Sequence, residues 1–148
     1  MNRRPKEIQN VLVGYDGSGA SDKALDFALT LAKAFGAALH IVAVVRLPDR
    51  AEHADFDLVL ESAVRHFDQL LATLRATLPD DVRTEIRVVL GDPPVELVRY
   101  ASTNAVDHIV VGHPARTYAE DRLLGPAASR VVELAQCPVT VVRLRTGS

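Results

Sequence analysis

The sequence has little cysteine, few aromatic residues and no long apolar run. Its single cysteine, Cys137, excludes an internal disulfide framework and any zinc or iron–sulfur site built from several cysteines. No apolar segment approaches the ~20 residues that span a bilayer. The apolar run that follows the basic start is also too short for the core of a signal peptide. We therefore expect a cytoplasmic protein without a membrane segment.

Neither sign of charge is in large excess, because 17 basic residues stand against 19 acidic ones and the net charge is −2. This balance argues against a nucleic-acid partner, which usually requires a strong basic excess. The 148 residues are 48% hydrophobic and 24% charged, which is enough apolar material for one sizeable core. We predict a single domain over residues 1–148, with flexible ends at 1–7 and 145–148.

Five short β-branched runs alternate with four longer segments in which apolar residues recur at helical spacing. The predicted strands are Val11–Tyr15, Leu39–Val45, Val82–Leu90, His108–Gly112 and Val139–Leu144. The predicted helices are Ala24–Phe35, which Ser21 and Asp22 introduce, then Phe56–Leu74, Pro93–Asn104 and Gly125–Ala135. Such alternation is typical of an α/β fold with a parallel sheet and helices on both faces.

The character of each strand predicts its place in the sheet. Val11–Val13 and Ile109–Val111 are continuously apolar, as expected of central strands that are covered on both faces. The segment Val82–Arg87 alternates with charged residues and so fits an edge. We predict a doubly wound five-stranded parallel sheet with strand order 3-2-1-4-5.

In such a sheet, ligands bind beyond the carboxyl ends of the strands where the strand order reverses, here between strands one and four. Glycine-rich turns follow both strands, at residues 15–21 and 112–126. Backbone N–H groups in turns of this kind can approach phosphate. Asp16 can accept hydrogen bonds from a base or a ribose, and Arg116 and Arg122 can meet phosphate charge. The pattern is compatible with a nucleotide site, but spacing alone favours the simpler interpretation of a common turn followed by an ordinary helix start.

Two other doubly wound folds fit less well. A response-regulator receiver needs a phosphoacceptor Asp after strand three and a Lys after strand five, but strand three ends in Val89-Leu90-Gly91 and no Lys follows strand five. A flavodoxin-like protein needs aromatic rings beside its flavin. This sequence has no Trp and only 5% aromatic residues.

Several motifs, in this order and spacing, resemble the universal stress protein family over Ile8–Leu144. The resemblance implies the α/β fold predicted above, a role in stress response, a homodimer and, in one subclass, an ATP site between strands one and four. The motifs are Val11–Ser18, Gly91–Pro93, Ala105–Gly112, Leu123–Gly125 and Cys137–Val142. The implied dimer interface is strand five, with Val139, Thr140, Val141, Val142, Arg143 and Leu144.

The ATP-binding subclass carries Gly, two residues, Gly, nine residues, then Gly with Ser or Thr. This sequence keeps the spacing but has Gly112, Ala115, Gly125 and Pro126 at those positions. Ala115 makes a positive φ costly, and Pro126 removes an N–H and a hydroxyl. Loss of one charge-assisted hydrogen bond weakens phosphate binding by about 1.5–3 kcal/mol, or about one to two decades in affinity, unless Arg116 or Arg122 compensates.

By the same resemblance, Asp16 contacts the adenosine part and Val44 lies against adenine. We therefore expect ATP, ADP or AMP to bind with a weakened phosphate grip and with no metal beyond the Mg²⁺ that a nucleotide carries. The implied nucleotide-binding residues are Tyr15, Asp16, Gly17, Val44, Gly112, His113, Ala115, Arg116, Gly125, Pro126 and Ala127.

Catalytic chemistry is poorly represented. No nucleophile, base and orienting group can be assembled from spacing, and His53 with Asp55 and Asp57 fits a solvated loop better than a metal site. We expect a nucleotide-binding regulatory module with ATP hydrolysis slow or absent. The alternative is a nucleotide-free dimeric interaction module with an unidentified protein partner, and a true ATPase or phosphotransferase has less support.

Overall fold

The computed structural model describes residues 7–47, 55–114 and 124–144. Five parallel strands form one sheet in the order β3-β2-β1-β4-β5, so the predicted fold class and strand order are confirmed. The strands are β1 (Asn10–Gly14), β2 (Ala38–Val45), β3 (Thr84–Leu90), β4 (His108–Pro114) and β5 (Val139–Leu144). The helices are α1 (Gly19–Phe35), α2 (Phe56–Arg75), α3 (Pro93–Thr103) and α4 (Pro126–Leu134).

The sheet separates two apolar layers, because successive side chains of a strand point to opposite faces. In β1, Val11 and Val13 pack with α1 and α2, whereas Leu12 packs with α3 and α4. All three residues are fully buried. This two-sided burial is the reason that the central strands are continuously apolar.

Two predicted boundaries differ from the observed ones. Helix α1 begins earlier than expected, because the Ser18 hydroxyl caps it by accepting a hydrogen bond from the Ser21 N–H at 3.2 Å. Strand β3 begins at Thr84 instead of Val82, because the Thr84 hydroxyl donates to the Val82 carbonyl at 3.1 Å and the chain bends there. Of the predicted flexible ends, residues 1–6 and 145–148 lie outside the described residues.

The strands end at different levels along the sheet, and this difference determines where the candidate site lies. β1 ends at Gly14, opposite Val42 of β2. β2 then continues to Val45, and β4 continues to Pro114. The central strand therefore stops short of both neighbours and leaves a notch at the point where the strand order reverses.

Among residues 7–47, 55–114 and 124–144, no helix is both long enough and apolar enough to cross a membrane.

Candidate functional site

A crevice of about 630 Å³ occupies the notch beyond β1. Its size falls within the range of small-molecule sites, about 300–1,000 Å³. One side is formed by β1 and its turn, through Gly14, Tyr15, Asp16, Ser18 and Ser21. The other sides are formed by β2, α3, β4 and α4, through Val42, Val44, Arg46, Pro94, Leu97, Gly112, Pro114 and Ala127, among others.

One wall of the crevice is apolar. Val42 and Val44 point from β2 toward α3, where Leu97 packs against them. Val44 is only half-buried, although Val42 is almost completely buried. The end of β2 thus offers an apolar surface that a flat, weakly polar group such as a base can cover.

Asp16 supplies the acceptor of the crevice. Its carboxylate accepts a hydrogen bond from the Ser18 N–H at 2.9 Å, and its own N–H donates to the Ser21 hydroxyl at 3.4 Å. Burial alone would raise the pKa of Asp16, but hydrogen bonds from Ser18 and Ser21 outweigh that effect, so the pKa is lowered. The carboxylate is therefore ionised near neutral pH and can only accept hydrogen bonds.

Tyr15 lines the crevice with a hydroxyl that is already engaged. The hydroxyl donates to Oδ1 of Asp22 at 2.7 Å. Burial and the hydrogen bond to Asp22 raise the pKa of Tyr15 to about 12, so the phenol keeps its proton. Both serine hydroxyls of this turn are also engaged, because Ser18 accepts from the Ser21 N–H and Ser21 donates to the Ser18 carbonyl. These hydrogen bonds fix the conformation of the turn.

At the start of α4, Gly125 and Pro126 have no free N–H to offer a phosphate. Gly125 caps the helix, and its N–H donates to Nδ1 of His113 at 3.1 Å. Pro126 comes next and has no N–H. His113 is only 3% exposed and does not line the crevice; its ring ties the end of β4 to the start of α4.

The structure thus brings together some of the predicted nucleotide-binding residues. Tyr15, Asp16, Val44, Gly112 and Ala127 line the crevice. Gly17, His113, Gly125 and Pro126 lie close to these residues in the chain but do not line it. Ala115 and Arg116 lie outside the described residues, as do Arg122 and His53.

Sequence reasoning missed a charged group at the rim. Arg46 lines the crevice and lies 3.6 Å from the carboxylate of Asp92, which also contacts Arg130 at 2.6 Å. These residues lie in or next to three different elements, so no local pattern connects them. Pro94 and Leu97 were also missed, because apolar residues of a helix are expected in the core.

A second groove, of about 550 Å³, lies between α2 and the edge strand β3. Its walls combine apolar side chains with the charged side chains of Asp68, Arg75 and Arg87. It runs along β3 and not across the point where the strand order reverses, and its lining includes no glycine, so the notch beyond β1 is the better candidate site.

The comparisons with known proteins agree with this fold. The model of the universal stress protein family matches residues 7–143. Universal stress protein YxiE of Bacillus subtilis is 30% identical over 147 residues, a match that covers 92% of this chain and 99% of that protein. Universal stress protein UspA from Lactobacillus plantarum has a TM-score of 0.77 at 25% identity, over 94% of this chain and 100% of that one.

A further structure, a universal stress protein in complex with cAMP, is 31% identical and has a TM-score of 0.60. That match covers 93% of this chain and 98% of the other. The family model extends over nearly all of the sequence, and the relatives match over almost their full length. The chain belongs to the universal stress protein family.

Proposed function

We propose that this chain is a cytoplasmic regulatory module of the stress response that binds an adenine nucleotide in the crevice beyond β1. The observation that carries the proposal is the pairing of a half-buried apolar wall at Val44 with the ionised carboxylate of Asp16 in one crevice. The wall suits a purine face, and the carboxylate suits a ribose hydroxyl. A relative that is 31% identical was solved in complex with cAMP, which supports an adenine nucleotide as the ligand.

The start of α4 is expected to contribute little to the affinity for phosphate. The Gly125 N–H is already bonded to His113, and Pro126 has none to offer. We therefore propose that the adenosine part provides most of the affinity, and that ATP gains little over AMP. Binding without turnover fits the serine hydroxyls of the crevice, which are bonded to the backbone.

Calorimetric titration with ATP, ADP, AMP and adenosine tests this function. We expect all four compounds to bind, and we expect the dissociation constants of ATP, ADP and AMP to differ by less than about tenfold, since one charge-assisted hydrogen bond is worth at least that much. Absence of binding of all four at millimolar concentration would remove the proposal and leave the nucleotide-free interaction module.

A matched pair of variants localises the site. Asp16→Asn keeps the shape of the side chain but removes its charge, so we expect adenosine and AMP to bind about tenfold more weakly, as hydrogen bonds to charged groups are worth about 1.5–3 kcal/mol. Asp26→Asn makes the same change at an exposed position on α1 and is expected to leave both affinities unchanged.

We also propose that two copies pair through β5. The strand lies at an edge of the sheet, and all six of its residues are half-buried in the single chain, whereas the equivalent residues of β1 are fully buried at its centre. A second copy at this edge would complete their burial.

A further inference from the structure

Three charged side chains from three elements meet at the rim of the crevice. Arg46 follows the last residue of β2, Asp92 precedes α3, and Arg130 lies in the second turn of α4. Oδ1 of Asp92 lies 3.6 Å from Nη1 of Arg46, and Oδ2 of Asp92 lies 2.6 Å from Nη1 of Arg130. One carboxylate therefore holds two guanidinium groups, and the group as a whole carries an excess positive charge.

The carboxylate of Asp92 is available for this task because it does not cap α3. An aspartate before a helix usually accepts a hydrogen bond from the N–H of the second or third helical residue. Here the helix begins with Pro93 and Pro94, which have no N–H, and the Asp92 side chain makes no capping hydrogen bond. Its oxygens instead contact the two arginines.

Arg46 is open to a ligand in the crevice, which it lines. Arg130 does not line the crevice, but its guanidinium contacts the same Asp92 carboxylate as that of Arg46. The side chains of Arg46 and Arg130 are 69% and 48% exposed. Guanidinium groups present parallel N–H donors that match the oxygens of a phosphate, and they stay charged at any ordinary pH.

The position of Arg46 brings a nucleotide phosphate within its reach. Val44 lies near the end of β2 and Arg46 just beyond it, two residues apart, which corresponds to about 7 Å along an extended chain. One ribose spans a comparable distance between a base and its phosphate. A base against Val44 therefore leaves the first phosphate of a nucleotide within reach of the Arg46 side chain.

We propose that Arg46 and Arg130 form an anion subsite that binds the phosphate of a nucleoside monophosphate, linear or cyclic, in the crevice. Asp92 is the positioning residue that holds both guanidinium groups at the rim. The proposal rests on the proposed adenine-nucleotide function and gives the site a second phosphate contact, separate from the start of α4. It makes the crevice a site for compact phosphate esters.

The test compares AMP with adenosine in the full chain, by calorimetry in the absence of Mg²⁺. We expect Arg46→Gln and Arg130→Gln each to weaken AMP binding about tenfold, because a charge-assisted contact is lost. Adenosine affinity is expected to stay within about twofold of the unaltered chain, which also shows that each variant is folded. Arg99→Gln is the matched control, because Arg99 is likewise exposed and paired to a carboxylate, that of Glu96, at 2.6 Å.

Asp92→Asn tests the positioning role. Without this carboxylate the two guanidinium groups are no longer held together at the rim, so AMP binding is expected to weaken about threefold, with no change for adenosine. Unchanged or tighter AMP binding in this variant would show that Asp92 does not position the arginines.

The outcomes separate this inference from the proposed function. If adenosine and AMP bind equally well and neither arginine variant changes AMP binding, the anion subsite is wrong and the adenine site stands. If no adenine compound binds but ribose 5-phosphate binds in a manner that depends on both arginines, the subsite stands and the adenine function is wrong. Failure of every probe to bind overturns both.

Discussion

Two histidines are held neutral by burial at the end of the sheet opposite the crevice. His40 is only 5% exposed, and its ring nitrogens bond to the Tyr100 hydroxyl at 2.7 Å and to Oδ1 of Asn10 at 3.0 Å. Burial lowers the pKa of His40, and the opposing attraction of Glu85 is smaller. Burial also lowers the pKa of His108. Neither residue has a place in the proposed ligand site.

These pKa shifts predict how stability depends on pH. Because both folded-state pKa values lie below the ordinary 6.5, the unfolded chain binds more protons as the pH falls through that value. We expect the contribution of these two histidines to the free energy of unfolding to be constant above about pH 7. Below about pH 6.5 it is expected to fall, by up to about 1.4 kcal/mol per pH unit for each histidine. Urea unfolding at pH 8, 7, 6 and 5.5 measures this.

Glutamine variants assign the effect to its source. His40→Gln is expected to lessen the loss of stability between pH 7 and 5.5 without abolishing it, because His108 still titrates. His66→Gln, at an exposed position on α2, is expected to keep the slope of the unaltered chain. Equal slopes in the two variants would show that His40 does not carry the effect.

The sequence predicted those parts of the site that a motif or the family resemblance pointed to. Asp16 belongs to the motif Val11–Ser18, the resemblance indicated Val44, and both residues line the crevice. Arg46, Asp92 and Arg130 were not predicted, because the group they form depends on how three separate elements pack. The one local signal was Asp92 itself, since an aspartate followed by two prolines loses one of the N–H groups that it would normally cap.

At the scale of whole elements, the hydrophobic pattern was sufficient for the fold. Continuous apolar runs identified β1 and β4 as central, and alternating charge identified β3 as an edge. A strand that is buried on both faces needs apolar residues at every position, whereas a strand with one exposed face needs them only at alternate positions. The ends of the strands were less predictable. The notch depends on β1 ending before β2 and β4 do, and that is a property of register between elements.

The packing of α1 against β4 explains why the motif residue at position 112 is a glycine. A Cβ on Gly112 would lie 2.6 Å from the backbone carbonyl carbon of Ala20, in the first turn of α1, and would also meet its oxygen. Neither atom can move without displacing α1 from β4. The glycine therefore permits close helix–strand packing, in addition to the phosphate role that the family resemblance implies.

Gly112→Ala is accordingly expected to destabilise the fold by about 1–3 kcal/mol, the usual cost of overpacking. Gly14→Ala is the matched control on the adjacent strand, where the added Cβ would meet only the end of the Leu97 side chain, which can rotate away. We expect it to cost less than about 1 kcal/mol. Urea unfolding measures both, and equal losses would contradict the backbone clash.

At the scale of the whole molecule, the open edge at β5 is the feature that a partner copy would cover. Across the β4–β5 pair, the Ile109 N–H donates to the Pro138 carbonyl at 3.0 Å. With Ile109 opposite Val139, the parallel bonding pattern directs the Val141 N–H away from β4, toward the open edge. Exposed edges of this kind can pair with another strand.

Two apolar side chains of α4, Val132 and Leu134, are also exposed, at 46% and 45%.

Val141→Pro removes the outward N–H while leaving the bonds to β4 in place, since proline is tolerated on edge strands. We expect the unaltered chain to have twice the monomer mass by light scattering at tens of micromolar, and Val141→Pro to have the monomer mass with its circular dichroism retained. Val141→Ala shortens the same side chain but keeps the N–H, so it is expected to remain a dimer. A monomeric unaltered chain, or a Val141→Pro variant that stays dimeric, would show that β5 does not pair with its copy.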